Sequence, residues 1–244
     1  CEPEPEANGE VSGHGVMLIH FFKRGEWHLK DITVFFAIEI IGTAAFACSG
    51  GMVAVRKHLD LLGTIVLGVT TAVGGGMLRD LIIGIHPPTL FVKPVYVSVA
   101  FFSVLVLFVI IRFHQITMAM LESELYERVM NFLDAIGLGS FTVVGIDTAA
   151  EAGLGEYRFL MIFLGTLTGV GGGVLRDMMA GQTPAVLKKH VYACASIAGA
   201  VCYVGLMGMI GNDLSMVISA LLVVVIRILA RKYRWNLPTA MGKE

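Results

Sequence analysis

The chain has 244 residues, of which 56% are hydrophobic and 15% are charged, and its mean hydropathy is +0.77. Soluble domains carry about 25% charged residues, so this composition excludes an ordinary soluble fold and predicts a protein solvated mainly by lipid. The formal net charge is −1. Apart from the acidic stretch 2–10, no long block of one sign occurs, and no nucleic-acid partner is expected.

Seven apolar stretches are long enough to cross a bilayer, which takes about 20 mostly apolar residues per helix. They cover residues 32–55, 61–83, 95–113, 132–150, 159–180, 191–210 and 214–229. The sequence therefore predicts an all-α membrane protein with seven transmembrane helices. Outside the spans we expect a tail with an interfacial segment at 1–31, a polar linker at 114–131 and a second tail at 231–244.

Lysine and arginine are distributed unevenly between the two faces of this predicted bundle. If successive spans alternate in direction, ten of these cations lie on the face that carries the C-terminus and five lie on the other. Cationic loops are retained preferentially on the cytoplasmic side of a membrane. The C-terminus is therefore predicted to be cytoplasmic and the N-terminal tail periplasmic.

The sequence contains an internal repeat. Residues 73–80, Val-Gly-Gly-Gly-Met-Leu-Arg-Asp, recur at 170–177 as Val-Gly-Gly-Gly-Val-Leu-Arg-Asp, an offset of 97 residues. We expect this offset to hold without a gap, since it also aligns Gly42 with Gly139, Phe36 with Leu133, Gly68 with Gly165, Thr71 with Thr168, Gly84 with Gly181 and Pro87 with Pro184.

Each copy of the repeat, 32–113 and 132–210, contains three spans. Because this number is odd, the second copy enters the membrane from the opposite face, and the repeats are predicted to be inverted. The seventh helix, 211–230, lies outside them. Inverted repeats with glycine-interrupted helices at matching positions are typical of channels and transporters with a site between the two halves.

Three consecutive glycines stand inside the second and the fifth spans. They are Gly74, Gly75 and Gly76 in the first copy and Gly171, Gly172 and Gly173 in the second. Each weakens a helix by about 1 kcal/mol relative to alanine, so both helices are predicted to kink or unwind there and to border a pore. The alternative is that the glycines only allow two helices to approach closely.

Charged residues follow the glycines by one helical turn, as Arg79 with Asp80 and Arg176 with Asp177. Charges at this depth cost several kcal/mol unless they pair or face water. One interpretation is that each arginine neutralises an aspartate and fixes the fold. The other is that these residues surround a pore or bind an anionic lipid headgroup.

Other polar residues are candidates for pore lining. Glu39 lies near the middle of the first span, and an intramembrane carboxylate is a functional candidate. Thr70, Thr71 and Thr168 precede the glycines by a turn, although threonine hydroxyls in such helices commonly bond to the helix backbone. No metal set, cofactor motif or catalytic signature occurs, and no enzyme activity is expected.

The doubled Gly-Gly-Gly-x-x-Arg-Asp motif, the order of three, three and one spans, and the loop 84–88 resemble bacterial members of the trimeric intracellular cation (TRIC) channel family. The same sequences are also described as a glycine transporter domain. The resemblance covers roughly residues 32–229. It implies a homotrimer in which each subunit has its own pore beside the second and fifth helices, a monovalent permeant cation, chiefly potassium, and a bacterial inner membrane.

One departure from the animal members is that residues 132–150 contain no lysine or arginine, whereas those members carry a fourth-helix lysine linked to voltage response. The leading hypothesis is a potassium channel. Its alternative is a secondary transporter of a small amino acid such as glycine, and a third hypothesis is a structural membrane protein. Kinks, threonines and buried charge pairs serve a channel or a carrier equally, so the sequence leaves these two open.

Overall fold

The computed structural model of the protein describes residues 31–113, 123–188 and 191–235. Seven helices in these ranges are long and apolar enough to cross a membrane, which confirms the predicted number of spans. They are α1 (Asp31–Arg56), α2 (Leu61–Ile83), α3 (Val95–Phe113), α4 (Glu124–Ala149), α5 (Arg158–Met179), α6 (Val191–Ile210) and α7 (Asn212–Lys232).

The fourth helix begins earlier than the apolar pattern predicts. Ser123 caps it, since its hydroxyl accepts a hydrogen bond from the Tyr126 N–H at 3.3 Å, and the first turn carries Glu124 and Glu127, whose charges suit a helix N-terminus. Residues 124–131 of the predicted linker are therefore helical. The rest of the linker lies outside the described residues, as do the interfacial segment up to residue 30 and the tail from residue 236.

The helices pack as two similar groups of three. Helix α1 packs against α2 and α4, and α5 packs against α4 and α2, so these four form the centre of the bundle. Helix α3 packs on α1 and α2, and α6 packs on α5 and α4. The seventh helix covers α6 and α4. The outer helix α3 is the least buried span, since only 17% of its most apolar 18-residue stretch is buried, which leaves most of its apolar side chains outside the core of the bundle.

The contacts between the two groups show that the repeat does not keep one offset. Phe46 and Phe141 pack together at 5.4 Å between ring centroids. A methyl group on Gly42 would touch Phe141, and one on Gly137 would touch Phe46. These reciprocal contacts relate α1 to α4 by an offset of 95. The predicted pairing of Gly42 with Gly139 is therefore wrong, and so is that of Phe36 with Leu133.

The change of offset has a structural cause. The glycine motifs of α2 and α5 do keep the offset of 97, so two additional residues stand between α4 and α5. Gly153 has a φ of 84° after the last turns of α4, and His58, 95 residues before it, has a φ of 58° after α1, so the additional residues are accommodated between Gly153 and the start of α5 at Arg158. Glycine adopts this left-handed conformation without steric cost.

The triple glycines lie where α2 crosses α5. A methyl group on Gly75 would stand 2.1 Å from the Thr168 carbonyl oxygen, and one on Gly172 would stand 2.2 Å from the Thr71 carbonyl oxygen. The two helices therefore touch backbone to backbone, which supports the alternative that the glycines allow two helices to approach closely. Both run through their glycines as continuous α-helices, so the predicted unwinding is not observed there, and a bend of the helix axis stays a prediction.

Alanine substitutions at two adjacent glycines separate close packing from helix propensity. At Gly76 the nearest atom to a new methyl group is Arg79 Nη2 at 3.8 Å, so Gly76→Ala should keep or raise the melting temperature, because alanine favours a helix by about 0.5–1 kcal/mol. Gly75→Ala should lower it, since overpacking costs about 1–3 kcal/mol. Thermal unfolding of both purified variants in detergent measures the difference. Equal melting temperatures would contradict the close crossing.

Candidate functional site

Each group of three helices buries a similar set of four polar residues. The first helix of the group supplies a carboxylate, the second an arginine and an aspartate, and the third a tyrosine. The first polar site consists of Glu39, Arg79, Asp80 and Tyr96, and the second polar site of Asp134, Arg176, Asp177 and Tyr192. All eight side chains belong to buried residues, with exposed fractions between 1% and 8%.

The arginine and aspartate of each second helix form the same contacts in both sites. Arg79 donates to Asp80 Oδ1 from Nε at 2.9 Å and from Nη2 at 2.7 Å, and Arg176 Nε donates to Asp177 Oδ1 at 2.9 Å. A short helix follows each of the two spans, Thr89–Val92 after α2 and Ala185–Lys188 after α5. The second oxygen of each aspartate accepts the first backbone N–H of that short helix at 2.7 Å, from Thr89 or from Ala185. The pairs therefore fix the loops after α2 and α5, which supports the structural interpretation.

The second polar site is electrically neutral. Asp134 Oδ1 accepts from Arg176 Nη1 at 2.6 Å, and its Oδ2 lies 3.6 Å from Nη2 of Arg227 on α7. Arg227 also stands over the Tyr192 ring, 4.5 Å from its centroid. Two guanidinium groups thus face two carboxylates, Asp134 and Asp177, and each charge has an opposite partner, as burial in a membrane bundle requires.

The first polar site has a different balance of charge. The Glu39 carboxylate accepts a hydrogen bond from the Tyr96 hydroxyl, but in the described part of the chain no cation lies within the 4.0 Å of a salt bridge to it. Arg79 is engaged by Asp80. Arg79 and the exposed Lys93 attract the Glu39 charge only through space. With both carboxyl groups ionised, the two carboxylates and one guanidinium of this site would sum to one negative charge.

A cavity of about 30 Å³ adjoins the first polar site, which is room for about two water molecules. Its polar lining comes from Glu39, Thr43, Arg79, Asp80, Thr89 and Tyr96. Gly76 also lines it, and a methyl group there would meet little. At the equivalent Gly173 a methyl group would lie 2.6 Å from the Tyr192 hydroxyl, so a side chain occupies the corresponding space in the second site.

Four of the residues selected from the sequence come together at this cavity, namely Glu39, Gly76, Arg79 and Asp80. The hydroxyls of Thr71 and Thr168 instead donate to the carbonyl oxygens of Leu67 and Leu164 at 2.6 Å. Both threonines lie at the helix crossing, and Thr70 is half-buried. The other glycines of the two triplets, Gly74, Gly75, Gly171, Gly172 and Gly173, face neighbouring helices, and a pore role for them stays a prediction.

Several residues of the two sites were missed by sequence reasoning. Tyr96, Tyr192 and Asp134 were not selected, and Asp134 is buried between two arginines. An alignment of the repeats with offsets of 95 for the first helices and 96 for the third would have paired Glu39 with Asp134 and Tyr96 with Tyr192. That correspondence was hidden by the single offset of 97.

These features define an α-helical membrane protein built from two inverted three-helix repeats and a seventh helix. The profile of a family described as "Glycine transporter" matches it twice, over residues 36–112 and 131–208. The two matches coincide with the two repeats and begin 95 residues apart. They therefore agree with the offset between α1 and α4 that the contacts show.

Curated relatives and solved structures resemble the chain over most of its length. The UPF0126 membrane protein YvgT of Bacillus subtilis is 34% identical over 82% of this chain and 94% of its own. The inner membrane protein YadS of Escherichia coli is 36% identical over 68% and 75%. A chain described in work on conductance through TRIC cation channels superposes with a TM-score of 0.73 at 33% identity, over 86% of this chain and 98% of its own.

The TRIC trimeric intracellular cation channel orthologue from Rhodobacter sphaeroides gives a TM-score of 0.74 at 28% identity, over 83% of this chain and all of its own. The chain belongs to the TRIC family, for which the matching profile has the description glycine transporter. The family resemblance inferred from the repeated motif is thereby confirmed.

The charge difference between the two polar sites predicts different losses of stability. Asp134→Asn leaves Arg176 and Arg227 without their shared carboxylate, and breaking a buried pair costs about 3–5 kcal/mol. Glu39→Gln removes a carboxylate that has no salt bridge and keeps an oxygen for the Tyr96 hydroxyl, so a smaller loss is expected. Melting temperatures of the two variants in one detergent compare them. A loss for Glu39→Gln as large as for Asp134→Asn would contradict the unequal pairing.

Proposed function

We propose that the protein is a cation channel in which potassium is the permeant ion and each subunit of a homotrimer has its own pore. The observation that carries this proposal is the likeness to TRIC cation channels over more than four fifths of the chain, at TM-scores of 0.73 and 0.74. A polar cavity with an excess negative charge, inside a bundle that lipid surrounds, supports it. Such a site attracts cations and repels anions.

A second function has separate support. The matching family profile is described as a glycine transporter, and inverted repeats are also the architecture of alternating-access carriers. In that case the first polar site would bind a small zwitterion, with Glu39 towards its ammonium group and Arg79 towards its carboxylate. Arg79 is already engaged by Asp80 at 2.7 Å, which favours the cation channel.

We also propose a bacterial inner membrane with the C-terminus in the cytoplasm. The curated relatives are named as membrane or inner membrane proteins. Cations gather at one end of the bundle, where Arg56 lies 3.7 Å from Glu127 and Arg231 donates to the Glu127 carbonyl oxygen. By the charge rule this end is cytoplasmic. We expect anionic lipid headgroups to bind the cations at this end of the bundle. They would not bind the motif residues Arg79, Asp80, Arg176 and Asp177, because these are buried and paired within the protein.

Planar bilayer recording and solute uptake distinguish the two functions. With purified protein under a KCl gradient, the channel predicts unitary currents that reverse near the potassium equilibrium potential, while proteoliposomes from the same preparation take up no glycine above empty vesicles. The same preparation should have the mass of three subunits in native mass spectrometry. Saturable glycine uptake without unitary currents would contradict the channel and favour the carrier.

A further inference from the structure

We infer that the Glu39 carboxylate is the binding site for a partly dehydrated monovalent cation, and that only the first of the two polar sites binds one. This inference rests on the proposed cation conduction and names the residue that selects the ion. The two sites share their four residue positions, so the second serves as an internal comparison. What differs between them is charge balance and space.

The charge argument begins with the partners of each carboxylate. Asp80 and Asp177 each accept from the arginine that precedes them and from an equivalent backbone N–H, so their contributions to the two sites are alike. Asp134 has two guanidinium groups within 3.6 Å, one from Arg176, which also binds Asp177, and a further one from Arg227. The Glu39 carboxylate, by contrast, accepts a hydrogen bond from the Tyr96 hydroxyl. An unpaired charge buried in such a bundle is costly, so a cation or a proton must accompany Glu39.

The space around Glu39 favours a cation over a proton alone. Glu39 is only 8% exposed, yet it lines a cavity with room for about two water molecules. The residues that line this cavity include three with side-chain oxygen atoms that suit a hard cation, namely Glu39, Thr43 and Tyr96. The Thr43 hydroxyl donates its proton to the Glu39 backbone carbonyl oxygen at 2.7 Å, which leaves its lone pairs available for a cation. In the second site the Tyr192 hydroxyl lies beside Gly173, whereas a methyl group on the equivalent Gly76 has only Arg79 Nη2 within 4 Å.

The position of the site in the bundle gives it a selective role. Glu39 lies in the first half of α1, Asp80 near the end of α2 and Tyr96 at the start of α3. These parts of the helices share one end of the bundle, which is the periplasmic end in the proposed orientation. A cation that enters from the periplasm would therefore meet the uncompensated charge before it reaches the helix crossing at Gly75 and Gly172.

Glu39→Gln and Asp147→Asn form a matched pair for bilayer recording. Both replace a buried carboxylate by an amide, and Asp147 accepts from the Tyr203 hydroxyl at 2.8 Å away from the cavity lining. Glu39→Gln should move the reversal potential under a KCl gradient towards zero. It should also raise the KCl concentration for half-maximal conductance by about tenfold, because a charged cleft concentrates counter-ions about 10-fold or more. Asp147→Asn should leave both unchanged, and Glu39→Asp should restore selectivity.

A folded Glu39→Gln trimer with the wild-type reversal potential and half-saturation would overturn the inference while conduction itself stands. Absence of currents in the wild type would instead refute the proposed function. The two failures are therefore distinguishable.

A measurement on the unmodified protein covers the case in which Glu39→Gln does not fold. Dicyclohexylcarbodiimide labels buried carboxyl groups, and mass spectrometry locates the adduct. KCl should protect Glu39 in a saturable manner, N-methylglucamine chloride at the same ionic strength should not, and labelling at Asp147 should not depend on potassium. Labelling of Glu39 that is the same in both salts would show that the carboxyl carries a proton only, and it would overturn the inference.

Discussion

The structure depends on the pairing of arginine with carboxylate inside a bundle that lipid surrounds. An arginine at that depth costs several kcal/mol unless a carboxylate stands beside it. Arg79 and Arg176 meet this requirement in the same way, by binding the aspartate that follows them. Each aspartate in turn holds the start of the next short helix. One local interaction, used twice, therefore sets both the end of a spanning helix and the path of the chain towards the third helix of each repeat.

The two repeats keep this frame and differ in what they add to it. In the second repeat Arg227, which comes from the helix outside the repeats, completes the charge balance of Asp134. In the first repeat the described residues bring no cation into a salt bridge with Glu39, which contacts a tyrosine hydroxyl and lines a cavity. The seventh helix thus has a chemical consequence as well as a packing one, because it neutralises one of two otherwise similar sites. In this way a duplicated scaffold can combine one repeat whose buried charges are all paired with another repeat that is proposed to bind a cation.

The fold could be predicted from the sequence because its signals are strong and local. Long apolar stretches predict spans, and two copies of an eight-residue motif predict the repeat. Glu39, Arg79 and Asp80 could be selected because intramembrane charges are rare and costly. Their environment was less accessible: two additional residues between Gly153 and the start of α5 shift the repeat, and this shift hid the relation between Glu39 and Asp134. The sequence left the role of the glycines open between a kink and close packing, since helix propensity says nothing about the carbonyl oxygen that lies opposite Gly75.

The central claim is that two sites with the same frame differ in one uncompensated charge, and thallium tests this most directly. Thallium(I) resembles potassium in charge and size and scatters anomalously. Crystals of the full chain grown in thallium acetate should show an anomalous peak beside the Glu39 carboxylate and none beside Asp134. A peak at Asp134 and Arg176, or no peak in the cavity at a thallium concentration that supports conduction, would contradict the account.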